Sequence, residues 1–295
     1  MLQLHEAFSR PGGPTQASAR SGPLPPVTVH VFNDIACPWC HIGSRRLQRA
    51  VRQYKRRYGQ AAPVKVQWNP LLVDNDVLMT GEDVNGYVER RWGVSSADPF
   101  RARLVRAGLP EGASFKKWSF MPNSLLALEL LALAADLGQA DRASDLLFSK
   151  TYEEGGNVSL LDELLGIGES LGLSSRDELS RELVRTDGGS LRMRVLEQDA
   201  AAKRRLRIQA VPHFIITAGP KCRTKYSLNG AHQTSDLVGA MERVAMEEAR
   251  AAVGGRKVAA AAARRVLTPY GTPTGVLGGG GAAATGPSPI MGVSL

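Results

Sequence analysis

The chain has 295 residues, a formal net charge of +9 and 43% hydrophobic residues, enough to bury a substantial core in one large domain or two small ones. No apolar run approaches the roughly 20 residues that span a bilayer, and three cysteines, Cys37, Cys40 and Cys222, are too few for a secreted disulfide scaffold. The basic residues fall in separated clusters at 45–46, 55–57, 203–207 and 264–265. They lack the interleaved aromatic residues of a base-stacking surface, so neither nucleic acid nor a membrane is an expected partner.

Residues 1–26 are rich in Pro, Gly and Ser and are expected to be a disordered extension. The segment shows no apolar stretch of the kind that leads a secreted chain. A cytoplasmic location is therefore expected. Arg10 and Arg20 beside a single acid, Glu6, leave an organellar transit peptide as the alternative.

"VTVHVFN" (27–33) alternates β-branched and polar residues and predicts a strand. "CPWCHIGSRRLQRAVRQYKRRYG" (37–59) predicts a helix. Pro38 suits its first turn, Ile42, Leu47, Ala50, Val51 and Tyr54 recur at helical spacing, and Gly59 stops it. "VKVQWNPLLVD" (64–74) is a second strand and a turn, so the chain opens as a β-α-β unit.

From about 83 to 206 the patterning is almost all helical. One helix is predicted over 122–138, a second in "ADRASDLLFSKTYEEGGN" with a Gly-Gly stop, and a last over 190–208. "SLLDELLGIGESLGL" has the shape of a capping box, with Ser159 as the N-cap. The period then returns to two. "AVPHFIITAGPKCRTKYSLNGA" (210–231) predicts a hairpin around Gly219-Pro220, and 232–253 a closing amphipathic helix. Residues 254–295 form a Gly/Ala-rich tail that is expected to be disordered.

The order β-α-β, helices, β-β-α predicts an α/β chain: a thioredoxin fold with a large helical insertion between its βαβ and ββα halves. Residues 27–75 and 208–253 would make the thioredoxin-like domain, and 76–207 the helical insertion domain.

Cys37-Pro38-Trp39-Cys40-His41 admits three chemistries. Covalent haem attachment would need export and an accessible cysteine pair, and a visible export signal is missing. Structural zinc would need a second ligand pair, and beyond Cys222 with His213 or His232 none is spaced for it. A redox dithiol needs only what is present. Cys37 lies where a strand meets a helix, so its sulfur faces the first-turn N–H groups and the positive end of the helix dipole, which favours a thiolate. Cys40 follows one turn later, within reach of a disulfide and more buried, as a resolving thiol would be. No metal or cofactor is implied. His41, four residues after Cys37, shares a helix face with it; it either supports the thiolate or faces solvent. Trp39 is expected to wall a substrate groove, and Cys222 to sit in the hairpin turn. Pro212 in "QAVPHF" directly precedes an apolar strand, where a mid-strand proline would break the ladder; thioredoxin folds carry a cis-proline facing the cysteines at this place.

"FNDIACPWCHIGSRRL", "PNSLLALELLALA", "EEGGNVS" and "IQAVPHFIITAGPKCRTKYSLNGA" together resemble the DsbA-like thioredoxin-fold proteins of the FrnE type over about residues 27–252. The resemblance implies thiol–disulfide exchange with Cys37 as nucleophile, Cys40 as resolving cysteine and Pro212 as the cis-proline. Pro38, Trp39, His41 and Val211 would border the substrate. Partners would be protein or small-molecule disulfides, with glutathione a candidate. The family commonly has an aromatic residue where this chain has His41, and a His where it has Leu128. Glutathione-dependent isomerases and kappa-type glutathione transferases of the same superfamily tend to carry Ser in place of the first cysteine, so the pair argues against them. A helical binding module with a vestigial redox site is the non-enzymatic alternative.

Overall fold

The computed structural model describes residues 24–59, 62–187 and 190–265, with side chains through residue 252. The expectations for 1–23 and 266–295 lie outside the described residues.

Strand β1 (Val27–Asn33) is inserted between two partners. It pairs in parallel with β2 (Val64–Pro70) and antiparallel with β5 (His213–Ala218), and β6 (Lys225–Asn229) closes the sheet beyond β5. The sheet order is β2-β1-β5-β6. One face is covered by α1 (Pro38–Tyr58) and α9 (Thr234–Arg265). Leu47, Ala50 and Tyr54 of α1 and Leu237, Met241 and Val244 of α9 pack there against Val27, Val29 and Val31. The period-two burial of β1 and the 3.6-residue stripe of α1 meet in one apolar layer.

The helical block stands between β2 and β5. A two-stranded piece, β3 (Glu82–Asp83) with β4 (Phe120–Met121), encloses α2 (Val84–Trp92) and α3 (Asp98–Gly108). Then come α4 (Leu125–Asp136), α5 (Ala140–Ser149), α6 (Leu161–Leu171), α7 (Arg176–Val184) and α8 (Leu191–Arg204). A π-helical turn, Lys150–Glu154, extends α5. Helix α4, "LLALELLALAAD", is apolar nearly all round, and it is buried accordingly among α5, α6 and α8.

The predicted capping box is not at Ser159. Helix α6 starts with Leu160 as N-cap, and the Ser159 hydroxyl instead accepts a hydrogen bond from the Asn123 amide at 2.9 Å. The capping box belongs to α7, where Ser175 and Glu178 satisfy each other's amides. The closing helix also passes the expected end at 253: α9 runs to Arg265. Gly254-Gly255 reads locally as a stop, but the alanines at 259–263 are the strongest helix formers and carry the helix past it.

The junction of β1 and α1 lies between two cores. Ile35, Ala36, Cys40 and Ile42 belong to the core of the helical block, whereas Val31 and Leu47 on either side belong to the sheet core. Because β5 runs antiparallel to β1, its first residue pairs with Phe32 at the end of β1. The Val211-Pro212 segment is thereby delivered to the start of α1, beyond the C-terminal ends of the parallel strands, where open α/β sheets place their sites.

Candidate active site

Cys37 is the N-cap of α1, half-buried, with Pro38 opening the helix. Its Sγ lies 3.7 Å from the carbonyl oxygen of Val211. The Val211–Pro212 peptide is cis. The Pro212 ring packs on α1 at Gly43, where an added Cβ would stand 2.8 Å from Pro212 Cγ. Cys40 is one turn further along; its amide donates to the Cys37 carbonyl at 2.9 Å, and its side chain is buried, 1% exposed. Both thiols are free. Burial first, and then the neighbouring Cys37, push the Cys40 thiol well above its ordinary range.

Beneath the pair sits Asp34, buried at the end of β1. Its carboxylate accepts from the Ala36 amide at 3.0 Å and from the Val73 amide at 2.6 Å, fastening the loop before Cys37 to the loop after β2. Burial raises its pKa against those hydrogen bonds. The hydroxyl of Tyr152, from the π-helical turn, donates to the Ile35 carbonyl at 3.0 Å.

His41 is not at the solvent face. It is 1% exposed and turns into the helical block, stacked on Tyr152 at 5.5 Å between centroids and flanked by Phe115 and Phe148. Its Nε2 is 3.2 Å from Glu153 Oε1. Burial lowers the imidazole pKa, so the neutral ring donates its N–H to the carboxylate. Burial alone would raise the Glu153 carboxyl, but hydrogen bonds from His41 and Ser114 and from the Phe115 amide hold it down at about 2. The expected place of His41 beside substrate is thus corrected. The surface of α1 that His41 occupies is covered by the aromatic cluster of the block, and His41 does not line the cavity that opens beside Cys37. Leu128, where the resemblance led to a His, is a buried core residue.

A cavity of about 580 Å³ opens beside Cys37. Pro38, Trp39 and Val211 line it on the side of the cysteines. Its far wall comes from the block: Tyr87 and Trp92 of α2, Phe100 and Arg103 of α3, and Trp118. Pro212 is not part of this wall; it buttresses Val211 from behind, on Gly43. Cys222 is exposed in the β5–β6 turn, at φ +42°. Among the described residues no group of three His, Cys, Asp or Glu side chains could hold a metal ion, and no helix is long and apolar enough to cross a membrane.

The model of the DSBA-like thioredoxin domain matches residues 28–242. The chain belongs to this family. Within this DSBA-like setting, similarity to individual proteins is modest. An uncharacterized protein of Bacillus subtilis, YwbO, is 24% identical over 192 residues, covering 64% of this chain and 88% of its own. The crystal structure of a probable DsbA oxidoreductase from Streptomyces coelicolor superposes with a TM-score of 0.62 at 22% identity, over 74% of this chain and 89% of that one. A 2-hydroxychromene-2-carboxylate isomerase superposes with a TM-score of 0.50 at 18% identity, over 76% and 98%. At these identities the two structures show a shared fold.

Sequence reasoning missed Asp34, Glu153 and the aromatic far wall. A signal for Asp34 was present: an acid that follows Asn33 between the apolar Phe32 and Ile35 must find donors if it is buried. The wall had none, because its residues are spread from 87 to 118 and only the packing of α2 and α3 brings them to Cys37.

Proposed function

We propose that this DSBA-like protein is a thiol–disulfide oxidoreductase of the FrnE type acting on protein or small-molecule disulfides, glutathione disulfide among them. The observation that carries the reading is the asymmetry of the pair: a half-buried Cys37 capping α1 beside an open cavity, and a buried Cys40 one turn behind it. The Cys37 thiolate attacks one sulfur of the substrate disulfide; the S–S bond breaks, a Cys37–substrate disulfide forms, and the other half leaves as a thiolate. The Val211 backbone next to Cys37 supports pairing with an extended substrate segment as an added strand. Cys40 then attacks Cys37 Sγ, releasing the second thiol and leaving the Cys37–Cys40 disulfide.

Burial keeps Cys40 protonated until that step, which protects the mixed disulfide from premature competition. Its proton must then go to a base. Asp34 is the buried carboxylate whose charge reaches Cys40, and its own raised pKa narrows the gap between the two groups.

The test is trapping. Cys40→Ser should accumulate a mixed disulfide with a reporter disulfide, since Cys37 can attack but cannot be released. Cys37→Ser should form none and show no turnover. Mass spectrometry showing equal trapping by both variants would refute the assignment of attacking and resolving thiols.

A further inference from the structure

The cavity beside Cys37 is selective in its chemistry. Trp39, Tyr87, Trp92, Phe100 and Trp118 all contribute to its lining. Two of them have their polar atoms engaged elsewhere: the Tyr87 hydroxyl donates to Asp74 at 3.1 Å, and the Trp118 indole N–H donates to the Phe120 carbonyl at 2.9 Å. What these two present is ring surface. Trp92 stacks on Phe100 at 5.2 Å and meets Tyr87 edge-on at 5.5 Å, so the rings form a continuous aromatic wall. No Asp or Glu borders the cavity among the described residues. Of its two cations, Lys203 is paired with Asp199 at 2.9 Å. Arg103 is exposed and lies over the Trp39 ring, its Cζ 5.7 Å from the centroid. Its charge therefore stands at the rim, next to Trp39, one of the two residues between the cysteines.

We propose that this cavity recognises one half of a small disulfide: a thiol carrying an aromatic ring and a carboxylate, with the ring against Trp92, Phe100 and Trp118 and the carboxylate on Arg103. The inference rests on the exchange reaction above and adds its substrate class. A volume of about 580 Å³ lies within the range of small-molecule sites, and an aromatic wall with an unopposed guanidinium at the rim complements such a thiol in shape and in charge. In the step itself, the reduced protein loses two electrons and two protons and becomes the Cys37–Cys40 disulfide. The substrate disulfide takes them up and leaves as two thiols, so a single turnover needs no further reactant.

The experiment follows single-turnover oxidation of the reduced full-length protein by three symmetric disulfides with the same reacting sulfur: those of N-acetylcysteine, N-phenylacetylcysteine and N-phenylacetylcysteinamide. Dithiothreitol in place of the protein supplies the intrinsic ratios. Burying the ring should favour the second probe over the first by about tenfold relative to dithiothreitol. Loss of the carboxylate should slow the third against the second by about threefold. Trp92→Ala should collapse the first ratio and Arg103→Gln the second. If Trp92→Ala does not fold, Arg103→Gln at its exposed position carries the test. Equal rates with all three probes, or ratios unchanged in the variants, would overturn the pocket assignment and leave thiol exchange standing. Failure of every probe to oxidise the protein would overturn the exchange reading, and this inference with it.

Discussion

His41 and Glu153 tie the first turn of α1 to the helical block through one hydrogen bond inside an aromatic cluster. Their pKa values set a pH dependence of stability with a definite sign. In the unfolded chain His41 takes up a proton near its ordinary value of 6.5; in the folded protein burial lowers that value. The stabilisation from the neutral imidazole is thus present above 6.5 and is lost as pH falls through the lowered folded value. Glu153 adds a second, more acidic window, because its carboxyl goes from 4.5 unfolded to about 2 folded, and its contribution is lost between those values. Urea midpoints measured across pH should fall below neutrality in two stages. His41→Gln, which keeps a donor for Glu153 without titrating, should flatten the stage that sets in as pH falls below 6.5. An unchanged slope in that variant would place the titration elsewhere.

At the level of single elements, α1 is held against the strand end by a close approach at Gly43. A Cβ there would meet Pro212 Cγ at 2.8 Å, Pro212 Cβ at 3.2 Å and Phe214 Cζ at 3.5 Å. Ala in place of Gly inside a helix ordinarily gains up to about 1 kcal/mol. Here the clash should outweigh that gain, and Gly43→Ala should lose roughly 1–2 kcal/mol in urea unfolding, the usual cost of overpacking. It should also slow reaction with a protein disulfide, because Val211 is carried by the displaced segment. A stabilised Gly43→Ala would show that the Pro212 segment yields freely. The mistaken capping box is instructive at the same scale. Ser159 and Ser175 both stand ahead of an acidic first turn. Ser159 is claimed by the Asn123 amide from a segment remote in sequence, and that leaves only Ser175 free to cap its own helix.

Across the whole molecule, the thioredoxin layer and the helical block are joined by buried charge as well as by apolar packing. Arg46 of α1 reaches Glu111, in the short turn after α3, at 3.3 Å, and also donates to the carbonyls of Ala107 and Ala231. The two side chains are 8% and 7% exposed. Glu111→Ala leaves the Arg46 guanidinium buried without its carboxylate and should cost roughly 3 kcal/mol. The pair of Arg57 with Glu242 lies at the surface, with Arg57 62% exposed. Arg57→Ala should therefore shift the urea midpoint far less. Similar losses for the two variants would mean that Glu111 does not hold the layers together.

The sequence by itself determined the fold class, the strand–helix junction that carries Cys37 and Cys40, the hairpin that brings Pro212, and the exposed turn of Cys222. Each of these is a local signal: a period of two or 3.6, a proline at a first turn, a glycine at a stop. Tertiary structure alone decided that His41 is inside, that Asp34 fastens two loops beneath the cysteines, that Ser159 is not a cap, and that residues from α2, α3 and Trp118 wall the cavity. The physical reason is the same in each case. Periodicity says that a face is buried but not what lies against it, and burial by a partner distant along the chain is what sets the charge of an imidazole, the use of a hydroxyl and the lining of a pocket.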